Sequence, residues 1–345
     1  MNAEKKRTGA PILADMHTHL LEKRVSPKKW WKLVKARKLS VVAITEHGEK
    51  KPKKAYLKLL KARPKQMRNM LLIPGMEAKT NAGHVLVYGQ DASIYEIKKL
   101  QEKNVPLKKV LEIAKCNNLT VSLSHPYGYK LDSACEIIGE KKVKQLLARN
   151  MIGIEYYNGM LGSANDFIFR TEWVRKLYNF FDFAEKNRVA KKLRIAKRSG
   201  RTKRKLEKIS KETIERVQKP ILLSRSAKFI TVGSDAHYPK NIGSAVIELK
   251  KRPKDAAEFL KMIRNRETLL AGPNFYSQNP VDELKKKELF EGLKYVAESR
   301  VGRIKKSKLV RNVKKSRIAK KITKTKITGK IKKAVGKLRK KIRRK

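Results

Sequence analysis

Histidine is scarce in this chain, and its placement is the first sign of chemistry. The sequence has six His residues. Each lies at or just after the end of a short apolar run, or at the start of one. An isolated His is more often a packing or surface residue than a ligand. Six at strand ends instead favour one shared metal site, formed by His17, His19, His47, His84, His125 and His237.

Spacing and carboxylates strengthen this prediction. His17 and His19, in DMHTH, would face the same side of an extended segment because strand side chains alternate. Asp235 and His237, in VGSDAH, have the same spacing. Glu77, in PGMEAKT, offers a carboxylate that could bridge two ions. Imidazole and carboxylate without thiolate suit zinc, manganese or iron better than calcium or magnesium.

The elements that would position these side chains are alternating β-strands and helices. Short β-branched runs separated by charged, helix-forming stretches are typical of βα units and a largely parallel sheet. Seven strands are predicted, over residues 12–16, 41–45, 70–77, 84–89, 120–124, 152–157 and 229–234. Seven such units indicate an α/β barrel, whose active site would form at the C-terminal ends of the strands.

Charge is the extreme property of the composition. The 345 residues include 87 Lys and Arg against 31 Asp and Glu, which gives a net charge of +56. Such a surplus attracts polyanions, and nucleic acid is the leading candidate partner. The alternative is a general lysine bias, in which much of the surplus only solvates the surface.

Two segments concentrate this charge. Residues 185–219 have 15 Lys and Arg against four Glu, and predict a basic helical insertion between two strands. Residues 300–345 contain 23 Lys and Arg and no acidic residue. We expect this tail to be unfolded in water and to fold against an anion. A helix on an anionic membrane surface is the competing interpretation of the tail.

Other features exclude some classes of protein. The apolar runs are far shorter than the roughly 20 residues of a membrane-spanning helix. The N-terminus has no apolar stretch typical of a secretory signal, and a cytoplasmic location is expected. Cys116 and Cys135 lie in no metal-binding spacing, and we assign them no role.

The motifs DMHTH, ITEHG, GMEAKT with GHVLVYG, SHPY, GIEYYNG and GSDAH occur in this order along the chain. Together they resemble the successive motifs of the PHP (polymerase and histidinol phosphatase) family of metal-dependent phosphoesterases. The resemblance covers about residues 11–275. It implies a distorted (β/α)7 barrel with the basic insertion at about 185–219 and a helical, Lys/Arg-rich extension over 276–345.

The resemblance also implies roles for individual residues in a site of two or three divalent ions. His17, His19, Glu77 and Asp235 would hold one ion. Glu77, His84 and His125 would hold a second, and His47 with His237 a third. In the segment LLEKRVSP, only Glu22 could complete the third site. Three further acidic residues would act near the ligands: Asp15 and Glu155 as residues that orient imidazoles, and Glu46 where the family often has Asp.

The implied activity is hydrolysis of phosphomonoesters or phosphodiesters, with nucleic acid or nucleotides favoured by the charge. Lys130 and Arg170 are candidate phosphate contacts. Four tyrosines near the site could stack on bases, although packing is their commoner role: Tyr127, Tyr129, Tyr156 and Tyr157. Alternatives are a phosphatase for a small metabolite such as histidinol phosphate, and a non-catalytic nucleic-acid-binding subunit. An amidohydrolase is a further alternative, but it would lack the ITEH and GxE pairing found here.

Overall fold

The computed structural model describes residues 10–21, 25–163, 172–186 and 195–274. The predicted extension over 276–345 lies outside these residues, and so do Glu22 and Arg170. Among the described residues, no helix combines the length and the apolar character needed to cross a membrane.

The described chain forms one mixed sheet of nine strands, with order β7-β6-β5-β4-β3-β2-β1-β8-β9. The strands are β1 (Ile12–Thr18), β2 (Leu39–Ile44), β3 (Leu71–Thr80), β4 (Gly83–Tyr88), β5 (Thr120–Leu123), β6 (Gly153–Asn158), β7 (Phe229–Gly233), β8 (Ala245–Leu249) and β9 (Thr268–Pro273). All seven predicted strands are present, and β8 and β9 were not predicted.

Eight α-helices with defined bounds accompany these strands in the described residues, and residues 159–163 are helical as well. The eight helices are α1 (Pro27–Ala36), α2 (Pro52–Lys61), α3 (Leu107–Cys116), α4 (Ala134–Ile137), α5 (Glu140–Arg149), α6 (Glu172–Lys186), α7 (Ile195–Leu223) and α8 (Ala256–Arg264). The predicted basic helical insertion overlaps α7 and the end of α6, which lie between β6 and β7.

Backbone bonds between the first and seventh strands nearly close the sheet into a barrel. Thr18 forms a parallel bridge with Ala236. The amide of Asp235 donates to the carbonyl of His17 at 2.7 Å, and the amide of His19 donates to the carbonyl of Ala236 at 3.3 Å. The predicted α/β fold with a distorted barrel is therefore confirmed, and its closing contacts join the two chain segments that carry HxH and DxH.

The expected largely parallel sheet is interrupted at β4, which is antiparallel to both of its neighbours. Pairs β1–β2, β2–β3, β5–β6 and β6–β7 are parallel, whereas β4 is antiparallel to both β3 and β5. Only Asn81 and Ala82 separate β3 from β4. A parallel connection needs a dozen or more residues, so this two-residue turn permits only a hairpin.

Several barrel strands are covered on both faces. Every residue of β2, β4 and β5 is buried, as expected for strands covered on both faces. Helix α1 begins at Pro27, is capped by the side chain of Ser26, and buries Trp30 and Trp31 against the outside of the barrel.

Candidate metal centre

All eight predicted ligands converge at one edge of the barrel. Six are buried: His17, His19, Glu77, His84, His125 and Asp235. The imidazoles of His47 and His237 are 14% and 24% exposed, so they form the open side of the cluster. The sequence prediction that these residues meet at strand ends agrees with the geometry.

The tightest group consists of four ligand atoms. The Nε2 atoms of His17 and His19 lie 3.1 Å apart. Asp235 Oδ1 lies 3.5 Å from His17 Nε2 and 3.4 Å from His19 Nε2. Glu77 Oε2 lies 3.6 and 3.7 Å from the same two nitrogens. Ligands bonded tetrahedrally at about 2.0–2.1 Å are about 3.4 Å apart. The ligand atoms of His17, His19 and Glu77 all lie within 4.8 Å of one another, so these three can approach one ion.

The other carboxylate oxygen of Glu77 faces a second pair of histidines. Glu77 Oε1 lies 2.9 Å from His125 Nε2 and 3.0 Å from His84 Nδ1. Ser124 Oγ donates to the same oxygen at 3.0 Å. Glu77 therefore lies between the two predicted ligand sets, as a bridging carboxylate must.

A third group lies on the exposed side. His19, His47 and His237 each offer a nitrogen atom, and these atoms lie within 4.8 Å of one another. His47 Nδ1 is also 3.1 Å from Glu77 Oε2, and His237 Nδ1 is 3.2 Å from Asp235 Oδ1. The predicted pair of His47 and His237 is thus joined by His19.

Several buried polar atoms of this cluster make no hydrogen bond within the described residues. They are His19 Nδ1, Glu46 Oε1, Glu77 Oε2, His84 Nε2 and Asp235 Oδ1. An unsatisfied buried polar group is costly, typically by about 1–3 kcal/mol. Glu77 Oε2 and Asp235 Oδ1 are anionic oxygens inside a ring of imidazoles, so divalent cations fit the donor set.

Charge coupling within the cluster is strong. Burial alone would lower the pKa of His17, but Asp235, Glu155 and Glu77 outweigh it and raise that pKa well above its usual value. Burial alone would raise the pKa of Asp235, but His17 and His237 hold it well below its usual range. The site therefore favours ionised carboxylates next to positive charge. That charge can come from protonated imidazoles or from metal ions.

Glu155 and Asn158 hold the ligands in place from β6. Glu155 Oε1 lies 2.9 Å from His17 Nδ1, and its Oε2 accepts from the amide of His125 at 2.7 Å. Asn158 Nδ2 donates to Glu155 Oε2 at 2.9 Å and to Asp235 Oδ2 at 3.1 Å. A carboxylate on the second nitrogen fixes the ring orientation of a ligating His. Asn158 was missed from the sequence, although it follows directly on a predicted strand at this edge.

The carboxylates of Glu46 and Asp15 mainly accept hydrogen bonds from backbone amides. Glu46 Oε2 accepts from the amides of Leu20 and Leu21, and its Oε1 lies 3.5 Å from His19 Nδ1. The carboxylate of Asp15 accepts from three backbone amides, those of residues 17, 234 and 243. Burial raises the pKa of Asp15 to about 6, although these bonds oppose the shift. Through these bonds Asp15 positions the strand that carries the first ligands.

An ion pair beside His84 was also missed. Asp132 Oδ1 lies 3.5 Å from His84 Nε2 and 3.2 Å from Lys79 Nζ. Lys79 is directly opposite His84 in the β3–β4 hairpin. Asp132 therefore stands on the far side of the His84 ring from Glu77, where it can orient that imidazole.

Local backbone conformation is unusual at two of the predicted ligands. His125 and Asp235 have φ angles of 27° and 50°. Residues other than glycine seldom adopt such angles, and they cluster at functional sites. Gly233 is required for close approach, since a Cβ atom there would lie 2.2 Å from His17 Cβ.

The remaining sequence candidates lie at the rim. The Tyr129 ring packs edge-on to His125 at 4.8 Å between centroids. Tyr127 is buried, and Tyr156 and Tyr157 are partly buried. Lys130 is partly exposed beside Tyr127. These positions favour packing for Tyr127 and Tyr129.

Comparison with known proteins gives a family match for part of the sequence and structural matches for the fold. The family model described as PHP-associated matches residues 222–268. No curated protein matches the sequence. The fold is similar to the lesion-specific endonuclease PfuEndoQ from Pyrococcus furiosus, with a TM-score of 0.45 and 12% identity. That similarity covers 76% of this chain and 58% of the endonuclease chain. The PHP-associated match over residues 222–268 includes the GSDAH motif, which carries Asp235 and His237.

Proposed function

We propose that this protein is a metal-dependent phosphoesterase that hydrolyses phosphoester bonds of nucleic acid or nucleotides. The observation that carries the proposal is the arrangement around Glu77. One of its oxygens joins His17, His19 and Asp235, and the other faces His84 and His125. A bridged, sulfur-free cluster at the open end of a barrel is typical of hydrolytic metal sites.

Two or three divalent ions, of manganese, zinc or iron, would occupy this cluster. His17, His19, Glu77 and Asp235 would hold the first, Glu77, His84 and His125 the second, and His47 with His237 and His19 a third. Such ions would bind phosphate oxygens and stabilise the negative charge that develops in the transition state.

The chain's own residues keep this cluster in place. Glu155 and Asn158 connect His17, His125 and Asp235, and Asp15 ties β1 to the segment after β7. Rigid placement matters because a metal site must hold its ligands within a few tenths of an ångström.

A small-metabolite phosphatase is the alternative for the same site. The charge distribution favours nucleic acid, because the surplus of Lys and Arg would bind a polymer of phosphates far more strongly than one phosphate group. A non-catalytic binding subunit would not need the eight ligands, all of which are retained here.

The proposal is tested by hydrolysis of an aryl phosphate and of a 5′-phosphorylated oligonucleotide, with added manganese and after chelation. We expect turnover that requires metal and falls at least about 100-fold in Asp235→Asn. Asn preserves the shape of the side chain and tolerates the positive φ of residue 235 better than Ala does.

Glu102→Gln is the matched control, since Glu102 is an exposed carboxylate that pairs with Lys99 on the surface. It should leave turnover unchanged. A preference for the oligonucleotide would support the nucleic-acid substrate, and a preference for the aryl phosphate would support the metabolite phosphatase. Full turnover in Asp235→Asn would contradict the proposed site.

A further inference from the structure

Helix α7 carries a row of cations along one side. Arg201, Lys205, Lys208 and Lys211 are all exposed. At about 100° per residue they fall within about one third of the helix circumference, and at a rise of about 1.5 Å they span about 15 Å. None of these four side chains forms an ion pair with a carboxylate of the described residues.

Three acidic residues near this row face the other way. Asp182 and Glu185 of α6 pair with Lys203 of α7. Glu207 of α7 accepts a hydrogen bond from the hydroxyl of Tyr178 on α6 at 3.0 Å. These three carboxylates therefore face the contact between α6 and α7. Glu212 and Glu215, which follow Lys211 on the cation-bearing side, pair with Arg216 and Lys219.

The position of α7 relates this row to the metal centre. Lys219 Nζ lies 5.7 Å from the centroid of the Tyr127 ring, and Tyr127 follows His125 by two residues. Arg216 and Lys219 line a cleft together with Tyr127 and Lys130, and the carboxylates of Glu136, Glu212 and Glu215 line it as well. This part of α7 is thus beside the loop that carries a predicted ligand.

The helix then extends beyond the rim. After α7 the chain enters β7 at Phe229, and the ligand end of that strand is its other end, near Gly233. Helix α7 therefore runs from the site edge of the barrel toward the opposite edge. By helix rise, Lys211 and Arg201 lie about 12 and 27 Å from Lys219 along the axis, on the N-terminal side.

We infer that Arg201, Lys205, Lys208 and Lys211 form a track for the phosphodiester backbone of a nucleic acid whose nearer end reaches the metal centre. The inference rests on the proposed function only in that hydrolysis would take place at that centre. Binding along α7 does not depend on it. One strand of a duplex carries a phosphate about every 3.4 Å, so a row of about 15 Å spans roughly four phosphates.

The row fits nucleic acid better than a lipid surface. A helix that lies on a membrane needs a broad apolar side next to its cations. Over residues 201–211, all of which the structure describes, Ile209 is the one large apolar side chain that is exposed, at 38%. Within α7 one such residue provides too little apolar area for stable insertion, and the exposed Phe180 and Phe183 belong to α6.

The test compares two triple variants of the full-length protein. Arg201→Gln/Lys205→Gln/Lys208→Gln removes three charges from the track. Lys54→Gln/Lys58→Gln/Lys61→Gln removes three exposed charges with the same spacing from helix α2. Because all six side chains are exposed, both variants should fold, and circular dichroism and thermal unfolding should show this.

The measured quantity is binding of a single-stranded oligonucleotide of about 30 nucleotides over a series of salt concentrations. We expect the track variant to bind at least about 10-fold more weakly and its salt dependence, d log K/d log[salt], to decrease in magnitude by about 2. The α2 variant should change affinity by less than about threefold.

Equal losses in the two variants would show that only total charge matters and would overturn the inference. It would also be overturned if the track variant lost binding to vesicles with anionic headgroups while its oligonucleotide binding stayed intact. Binding requires no turnover, so the two assays test different conclusions. A failed hydrolysis assay would count against the proposed function, and a failed binding assay would count against the track on α7.

Discussion

Glu77 is the side chain on which the proposed centre depends most. Its two oxygens contact or approach five imidazoles, on His17, His19, His47, His84 and His125. Burial alone would raise the pKa of Glu77, but His84, His47 and His17 hold it well below its usual range. A buried carboxylate in this setting requires positive charge on both sides, which two bridged ions would supply.

Asp132 gives a prediction at the level of one side chain. Asp132→Asn keeps the size of the residue but removes the negative charge next to His84 Nε2. We expect metal affinity to fall by about 10- to 100-fold, as for other residues that orient a ligating His. A titration of the metal-free protein with manganese or zinc measures this change.

Glu112→Gln serves as the control for that experiment, because Glu112 is exposed and pairs with Lys109 on the surface of α3. An unchanged affinity in Asp132→Asn would mean that His84 needs no such support. A loss of thermal stability without a change in affinity would assign Asp132 a purely structural role.

The sequence identified side chains that meet at one edge of the barrel, but it missed residues that contact them. His and paired carboxylates are rare enough at strand ends that their grouping carried information. Asn158, Ser124 and Asp132 were missed because amides, hydroxyls and single carboxylates occur throughout any surface. Their roles depend on contacts such as Asn158 with Asp235, which are 77 residues apart in the chain.

Among the secondary-structure elements, the β3–β4 hairpin explains the one ligand that begins a strand. His17 and Glu77 lie in the C-terminal halves of β1 and β3, whereas His84 is the second residue of β4. Because β4 runs antiparallel to β3, its N-terminal end meets the same edge as the C-terminal ends of its parallel neighbours. The hairpin therefore brings His84 to Glu77.

The two missed strands have weak local signals. Strand β8 is only five residues long, and it pairs with β1 from the opposite end of the described chain. Strand β9 contains Gly272 and Pro273, which are more typical of turns than of strands. Both segments form strands because they pair with residues distant in the sequence, β8 with β1 and β9 with β8. A local sequence pattern does not contain that information.

Gly233 at the end of β7 supports a prediction about element packing. Gly233→Ala would place a methyl group 2.2 Å from His17 Cβ and 2.5 Å from His17 N. We expect a loss of about 1–3 kcal/mol in unfolding free energy from overpacking. Because His17 must move, metal content should fall as well, which elemental analysis would detect.

Gly139→Ala is the comparison for this change. Gly139 has a φ angle of 85°, and no atom lies within 4 Å of the position that a Cβ atom would take, so only backbone strain should appear. Stability should fall there without loss of metal. Normal metal content in Gly233→Ala would show that β1 and β7 need not approach so closely.

At the scale of the whole molecule, we expect the basic tail to contribute to nucleic-acid binding but not to turnover at the predicted metal site. Residues 300–345 contribute 23 of the 87 Lys and Arg. Deleting them should weaken oligonucleotide binding and flatten its salt dependence, because fewer counterions are released. Turnover of an aryl phosphate should stay close to the full-length value, since no ligand is lost. Unchanged oligonucleotide binding would remove the tail from the proposed interface.

The most direct test of the bridged metal centre is a joint measurement of metal content and phosphoesterase turnover in wild type and in Glu77→Gln. The amide keeps the size of the side chain but cannot bridge two cations as a carboxylate does. We predict that the variant loses at least one equivalent of metal per chain and at least about 100-fold in turnover. Full metal content with undiminished turnover would contradict a centre organised around Glu77.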